Sequence, residues 1–346
     1  TDLGLGCSRL ALQDISDKGL QPIKSNNKKI WVVLNGEIFN FIEIKQKLLQ
    51  KGYFFKTGTD TEVIANSYQE WGKKCFKFFN GQFAIAIYDM IEDRFIIARD
   101  RIGIVPLYYK FEKNSFIFSS QLKGIEAFKN KVPSLNKNKI SHILGLPYKL
   151  HSMNNDTLLR DVFSLEPGSY IEININDLKY FKYKYWDINS IQENKIYNYV
   201  CYKEKIKNLL INSVKIRLRT DRKYAFLLSG GIDSSAILGI AKNYLGIDPI
   251  TFSLDLPDER FNENDSIKNV LLFNNLEENF IQINPKKIME TILLKVQTFD
   301  EPLPTPNCIL HTILANEINK SGSKVVLNGV GGDEVFLGYH DHFLYH

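Results

Sequence analysis

Nine residues, Leu227-Leu228-Ser229-Gly230-Gly231-Ile232-Asp233-Ser234-Ser235, hold the most legible chemistry of this chain. An apolar Tyr224-Ala225-Phe226 precedes them and an amphipathic Ala236–Ala241 follows, which predicts strand, tight turn and helix. A helix that starts after glycines leaves unpaired backbone N–H groups at the positive end of its dipole. Such an end holds an anion, usually a phosphate. The glycines let the backbone approach, Ser229 and Ser234 add hydroxyls, and Asp233 is placed to hold a metal ion beside phosphates. No lysine follows the glycines, so this is not a Walker-type loop.

A second glycine turn, Asn328-Gly329-Val330-Gly331-Gly332-Asp333, follows the apolar Val325-Val326-Leu327. It brings a second carboxylate, Asp333. Mg²⁺ is satisfied by one or two carboxylates plus phosphate oxygens, and Asp233 and Asp333 on neighbouring strand ends would supply them.

These turns need a scaffold. From Tyr199 onward strands and helices alternate: 224–228, a helix to Leu245, 250–254, a helix near 264–272, 280–283, helices through 289–299 and 310–319, then 325–327. That alternation predicts a doubly wound parallel α/β sheet, with ligands at the carboxyl ends of strands, where Ser229, Leu254 and Asn328 fall. Ile206, Leu209, Leu210, Ser213 and Val214 share one face of a helix ahead of it. The first half reads differently. Ile30–Leu34 is a short strand ended by Asn35-Gly36, 83–88 and 95–98 form a hairpin, and 116–120 and 170–173 are further strands. Helices 41–51 and 60–71 end at Gly52 and Gly72. This is an α+β layer pattern. The polar, Asn-rich 187–198 stretch reads as a linker between a domain over 1–186 and one over 199–346.

With 346 residues the chain is long enough for two cores. A formal charge of +5 with scattered lysines gives no footprint for nucleic acid, and no apolar run is long enough to cross a bilayer. The cysteines Cys7, Cys75, Cys201 and Cys308 form no C-x-x-C pair, which fits a reduced, cytoplasmic setting.

Ser-Gly-Gly-x-Asp-Ser resembles the pyrophosphate loop of ATP pyrophosphatases, which adenylate a substrate and release pyrophosphate. The whole chain resembles the glutamine-hydrolysing asparagine synthase family, an N-terminal-nucleophile glutaminase joined to an ATP-pyrophosphatase synthetase. Ser8–Ala11, Leu34–Asn40, Thr57–Val63, Asn80–Ala84 and Ala98–Tyr109 match in family order, as does the phosphate loop. The resemblance implies an α+β glutaminase sandwich followed by the α/β domain. It implies glutamine, aspartate and ATP as substrates, Mg²⁺ as metal, and it is compatible with a homodimer.

Residue by residue, the resemblance gives Arg9 the glutamine α-carboxylate and Asp60 the α-ammonium. Glu37 and the Leu10, Ala11, Leu12, Gln13 backbone line the same pocket, and Asn35 and Gly36 form the oxyanion hole. In the second half Leu228, Leu254, Asn328 and Gly329 surround the nucleoside. Ser229, Gly230, Gly231, Asp233 and Ser234 hold pyrophosphate, and Asp233 and Asp333 hold magnesium.

Departures from the family pattern are equally specific. The family nucleophile is an N-terminal cysteine. Thr1 is out of register for it, since the Arg9 motif follows too soon, and Cys7 is internal, where the family often has His. The expectation is a chain truncated at both ends that does not itself hydrolyse glutamine. Val330 stands where the family commonly has an acidic residue linked to acyl-adenylate formation. It keeps open an enzyme of the same scaffold acting on another carboxylate, including a β-lactam synthetase. A catalytically dead binding or regulatory relic is the alternative of a different class.

Overall fold

Alternation of side chains along one strand organises the first compact unit, Thr1–Lys195, of the computed structural model, which describes residues 3–128, 134–145, 155–192, 198–303 and 305–339. The elements in chain order are β1 (Ile23–Lys24), β2 (Ile30–Ile38), α1 (Phe41–Gln50), α2 (Asp60–Trp71), β3 (Gly81–Asp89), β4 (Arg94–Arg99), β5 (Tyr108–Glu112), β6 (Ser115–Ser119), α3 (Leu122–Ala127), α4 (Lys137–Gly145), β7 (Phe163–Ser164), β8 (Ser169–Asn174) and β9 (Tyr180–Lys184). An antiparallel sheet runs β1-β2-β3-β4-β8-β9, and a smaller one β6-β5-β7. Val32 and Leu34 of β2 pack with Ile44 and Leu48 of α1 and Val63 and Ile64 of α2. Val33, on the other face, packs with Leu107 and Tyr109 at the second sheet. Ile117 turns away from that interface and meets Leu122 and Ile125 of α3. The layers are therefore helices, sheet, sheet, helix, with apolar residues on both faces of β2.

The longest family-like stretch, Ala98–Tyr109, builds the corner between the two sheets. Asp100 is 0% exposed, and its carboxylate accepts the backbone N–H groups of Phe83 (3.2 Å), Ile102 (3.2 Å), Ile104 (3.0 Å) and Val105 (3.0 Å). Arg99 donates to the carbonyls of Val105, Leu165 and Gly103. A buried carboxylate is tolerated when its lone pairs are filled in this way.

One expectation needs correction. Asn35-Gly36 does not end the strand. β2 pairs with β3 without interruption from Ile30↔Asp89 to Ile38↔Gly81. Gly36 has φ +127°, and a Cβ there would collide with the backbone of Gln82 and Phe83. Glycine thus permits a close strand approach rather than a reversal.

The second unit, Ile196–His346, contains α5 (Tyr199–Arg217), β10 (Tyr224–Leu227), α6 (Ile232–Leu245), β11 (Thr251–Asp255), α7 (Asn264–Asn274), β12 (Phe280–Gln282), α8 (Pro285–Thr298), α9 (Asn307–Lys320), β13 (Val325–Leu327) and α10 (Gly332–Phe336). Its sheet is parallel, in the order β12-β11-β10-β13. Phe226 packs with Leu238 of α6 and Ile267 of α7, whereas Ala225 packs with Ile309 and Ile313 of α9 on the opposite face. The chain winds outward from β10 through β11 to β12, then returns to the far side of β10 as β13. The loops after β10 and β13 meet beside that reversal, and a crevice opens there at the carboxyl ends of the strands.

The apolar face expected on α5 is buried only near its end. Val214 is in the core, while Ile206 and Leu209 are exposed within the described residues.

Candidate functional site

Two cavities collect most of the residues singled out above, one in each unit. The first, of about 200 Å³, is lined by Arg9, Leu10, Leu12, Gln13, Asn35, Gly36, Glu37 and Asp60, together with Cys7, Gln21, Thr59, Thr61 and Gln82. Ala11 is not on its wall. Three local structures make it. Thr59 caps α2 by accepting the Glu62 N–H, and the Glu62 carboxylate accepts the Lys56 and Thr57 N–H groups. Asp14 reaches from the 9–19 loop to accept the Gly58 N–H at 2.8 Å. Arg9 donates to the carbonyls of Gln13 (2.7 Å), Asp14 (2.6 Å) and Ser16 (3.2 Å), which fixes its guanidinium in its own loop.

Electrostatics in this cavity favour an incoming cation. Asp60 is buried at the first turn of α2, where it accepts the Ile38 N–H at 2.9 Å. Burial nevertheless pushes its pKa up to about 6. Glu37 is pushed up to about 7, first by burial and then by the Asp60 charge. Its Oε1 is buried without a hydrogen-bond partner. Two carboxyl groups short of a counter-charge fit a ligand ammonium. Asn35 and Gly36 are exposed on β2 at the same wall. Cys7 donates its thiol toward the Leu34 carbonyl at 3.6 Å, and burial raises its pKa despite Arg9 nearby. A protonated, internal thiol is a weak nucleophile.

The second cavity, of about 680 Å³, lies at the carboxyl ends of β10, β11 and β13. Leu228, Ser229, Gly231, Asp233, Ser234, Leu254, Asn328, Gly329, Val330 and Asp333 all line it. Gly230 does not. Its φ is +80°, and a Cβ there would meet Ser266 Cβ at 2.9 Å and Ile267 N at 3.2 Å on α7. It sets the turn and its packing rather than the ligand wall. Gly231 stands before α6 and supplies no side-chain cap, so the first N–H groups of the helix stay open to an anion. The Ser234 hydroxyl is buried. It donates to the Gly231 carbonyl and accepts the Ser229 N–H, both at 3.2 Å, so it latches the loop from within.

The two glycine turns touch. A Cβ on Gly329 would lie 2.9 Å from Asp233 Cβ, and one on Gly332 would collide with the Asp233 carboxylate. Neither Asp233 nor Asp333 accepts a side-chain hydrogen bond among the described residues. No third acidic, histidine or cysteine ligand groups with them there. Two open carboxylates beside a phosphate loop suit Mg²⁺, which takes its remaining ligands from phosphates and water. The sequence pattern did not flag Asn307, His311, Phe252, Phe261 or Tyr339, which also line this cavity. Only the four-residue spacing of Asn307 and His311 gave any hint.

Comparison with known proteins decides the family. The model of the glutamine amidotransferase domain matches residues 1–186, and that of asparagine synthase matches residues 205–346. The chain belongs to the glutamine-hydrolysing asparagine synthetase family. A Methanocaldococcus jannaschii relative, whose name places it among these synthetases, is 33% identical over 98% of this chain and 67% of its own length. The glutamine-hydrolysing asparagine synthetase 1 of Bacillus subtilis is 31% identical over 97% of this chain and 52% of its own. Amidase chry2 of Gibberella zeae is 25% identical, with 97% and 51% covered. The chain thus spans about half to two thirds of these relatives. The asparagine synthetase fold, an antiparallel amidotransferase sandwich followed by a parallel α/β sheet, is the one observed. No helix among the described residues is long and apolar enough to cross a membrane.

Proposed function

We propose that this chain carries the glutaminase and adenylating halves of an enzyme that makes asparagine from aspartate, glutamine and ATP. The observation that carries the reading is the convergence of Ser229–Ser234 and Asn328–Asp333 on one cavity at the reversal point of a parallel sheet. In the first cavity Asp60 and Glu37 bind the α-ammonium of glutamine and Arg9 takes part in holding its α-carboxylate. The Asn35 amide and Gly36 N–H face the oxygen that becomes negative when the side-chain amide is attacked. Cys7 is not assigned as the attacking group.

In the second cavity the acceptor carboxylate attacks the α-phosphorus of ATP and pyrophosphate departs. Ammonia then attacks the acyl carbon, a C–N bond forms, and AMP leaves with the electron pair of the broken C–O bond. The N–H groups at the start of α6 and the Ser229 hydroxyl face the phosphates and stabilise charge on the departing pyrophosphate. Asp233 and Asp333 would hold Mg²⁺, which neutralises phosphate charge when bound. Full-length protein given aspartate, glutamine and ATP should form asparagine, AMP and pyrophosphate. Failure to form asparagine while AMP is released with another acid supports a different acceptor. Val330, 71% exposed on the cavity wall, and the amidase name of one relative favour that second reading.

A further inference from the structure

The phosphate end of the second cavity belongs to α6 and the two glycine turns, but its other wall is built by α9. Leu310 lines that wall and belongs to one apolar cluster with Leu227, Phe252 and Leu254, which also line the cavity. Leu314, one turn further along α9, extends the same surface. Asn307 and His311, four residues apart at the start of α9, are the polar groups that α9 brings to the cavity. Among the described residues neither side chain takes part in a hydrogen bond or ion pair.

We propose that Asn307 and His311 read the edge of the nucleotide base, and that the leucines beside them hold its faces. This rests on the nucleotide reading of the cavity and adds to it a selectivity for adenine. A planar heteroaromatic ring is apolar on its faces and polar only at its rim, which matches leucines flanked by an amide and an imidazole. A small acid carrying both an ammonium and carboxylates would instead lose its hydration against those leucines. The Asn307 amide has one acceptor and one donor side by side, the complement of the adenine N6 amino group and its neighbouring ring nitrogen. That nitrogen is N7, and guanine presents two acceptors, O6 and N7, along the same edge, so the amide oxygen faces an acceptor whichever way the amide is turned. His311 adds a second polar contact on the same wall.

Calorimetric titration of full-length protein with ATP, GTP and tripolyphosphate tests this. Wild type should prefer ATP to GTP. Asn307→Leu, which keeps the size and removes the amide, should weaken ATP on the order of tenfold while tripolyphosphate binding stays put, so that the ATP preference collapses. His311→Ala should weaken ATP in the same selective way. Both sites are exposed, so a circular dichroism spectrum like that of wild type is expected. Unchanged ATP affinity in both variants, equal loss of ATP and tripolyphosphate, or a rise confined to the KM for aspartate would each overturn the assignment. If wild type binds tripolyphosphate but ATP no better than GTP, base reading fails and the phosphate site stands. If wild type binds neither, the nucleotide reading itself falls.

Discussion

At neutral pH the Glu37 and Asp60 carboxyls are held above the usual carboxylate range, to about 7 and about 6, chiefly by burial. An ammonium binds the charged forms, so glutamine should bind more tightly as pH rises from 6 to 8. Glutamine KM of the full-length protein, measured across that range, checks the direction, and a flat profile would detach the pair from the ligand. Asp60→Asn should raise glutamine KM by roughly two orders of magnitude through loss of a buried charge partner. The same change should stabilise the unliganded fold. A carboxyl raised in the folded state favours folding fully below about pH 4 and loses that contribution as pH climbs through about 6. Replacing it should add roughly 2 kcal/mol at pH 8 and nothing at pH 3.5, read by denaturant titration at both values. Ser234→Ala removes the buried hydroxyl that latches the turn. It should cost about 1–2 kcal/mol of stability and weaken ATP by disordering the turn.

Among the elements, β2 and β3 hold the first cavity by backbone proximity. Gly36→Ala should abolish glutamine binding and destabilise the sheet by about 3 kcal/mol or more, because the new methyl meets main chain with no flexible side chain to yield. Gly52→Ala, where open space surrounds the position, should cost about 1 kcal/mol, from the positive φ alone. Thermal melts of the two variants separate a close-approach glycine from a helix-ending one. That distinction was not legible in the sequence, where Asn-Gly is also a common turn. Periodicity and caps predicted most elements: α2 runs Asp60–Trp71 and β13 Val325–Leu327 as read. Strand–turn–helix grammar likewise located the glycine turn between β10 and α6. Sequence did not show that Gly230 serves α7 packing, nor that α9 lines the second cavity. Both depend on partners brought in by tertiary packing, from some 36 residues on for Ser266 to 80 for Leu310.

For the molecule as a whole, two separate cores imply two separable unfolding events. Differential scanning calorimetry of the chain should resolve two transitions. ATP should raise only the one belonging to 196–346, by mass action on its folded state, and a single transition shifted by ATP as a unit would contradict this. The order β12-β11-β10-β13 has a temporal consequence. The phosphate loop leaves the ribosome about a hundred residues before β13, yet the cavity needs both. While translation continues through α7, α8 and α9, the carboxyl end of β10 has no neighbour on one side, and the cavity lacks the second of its two glycine turns. A nascent chain must therefore carry that open edge unaided until β13 docks.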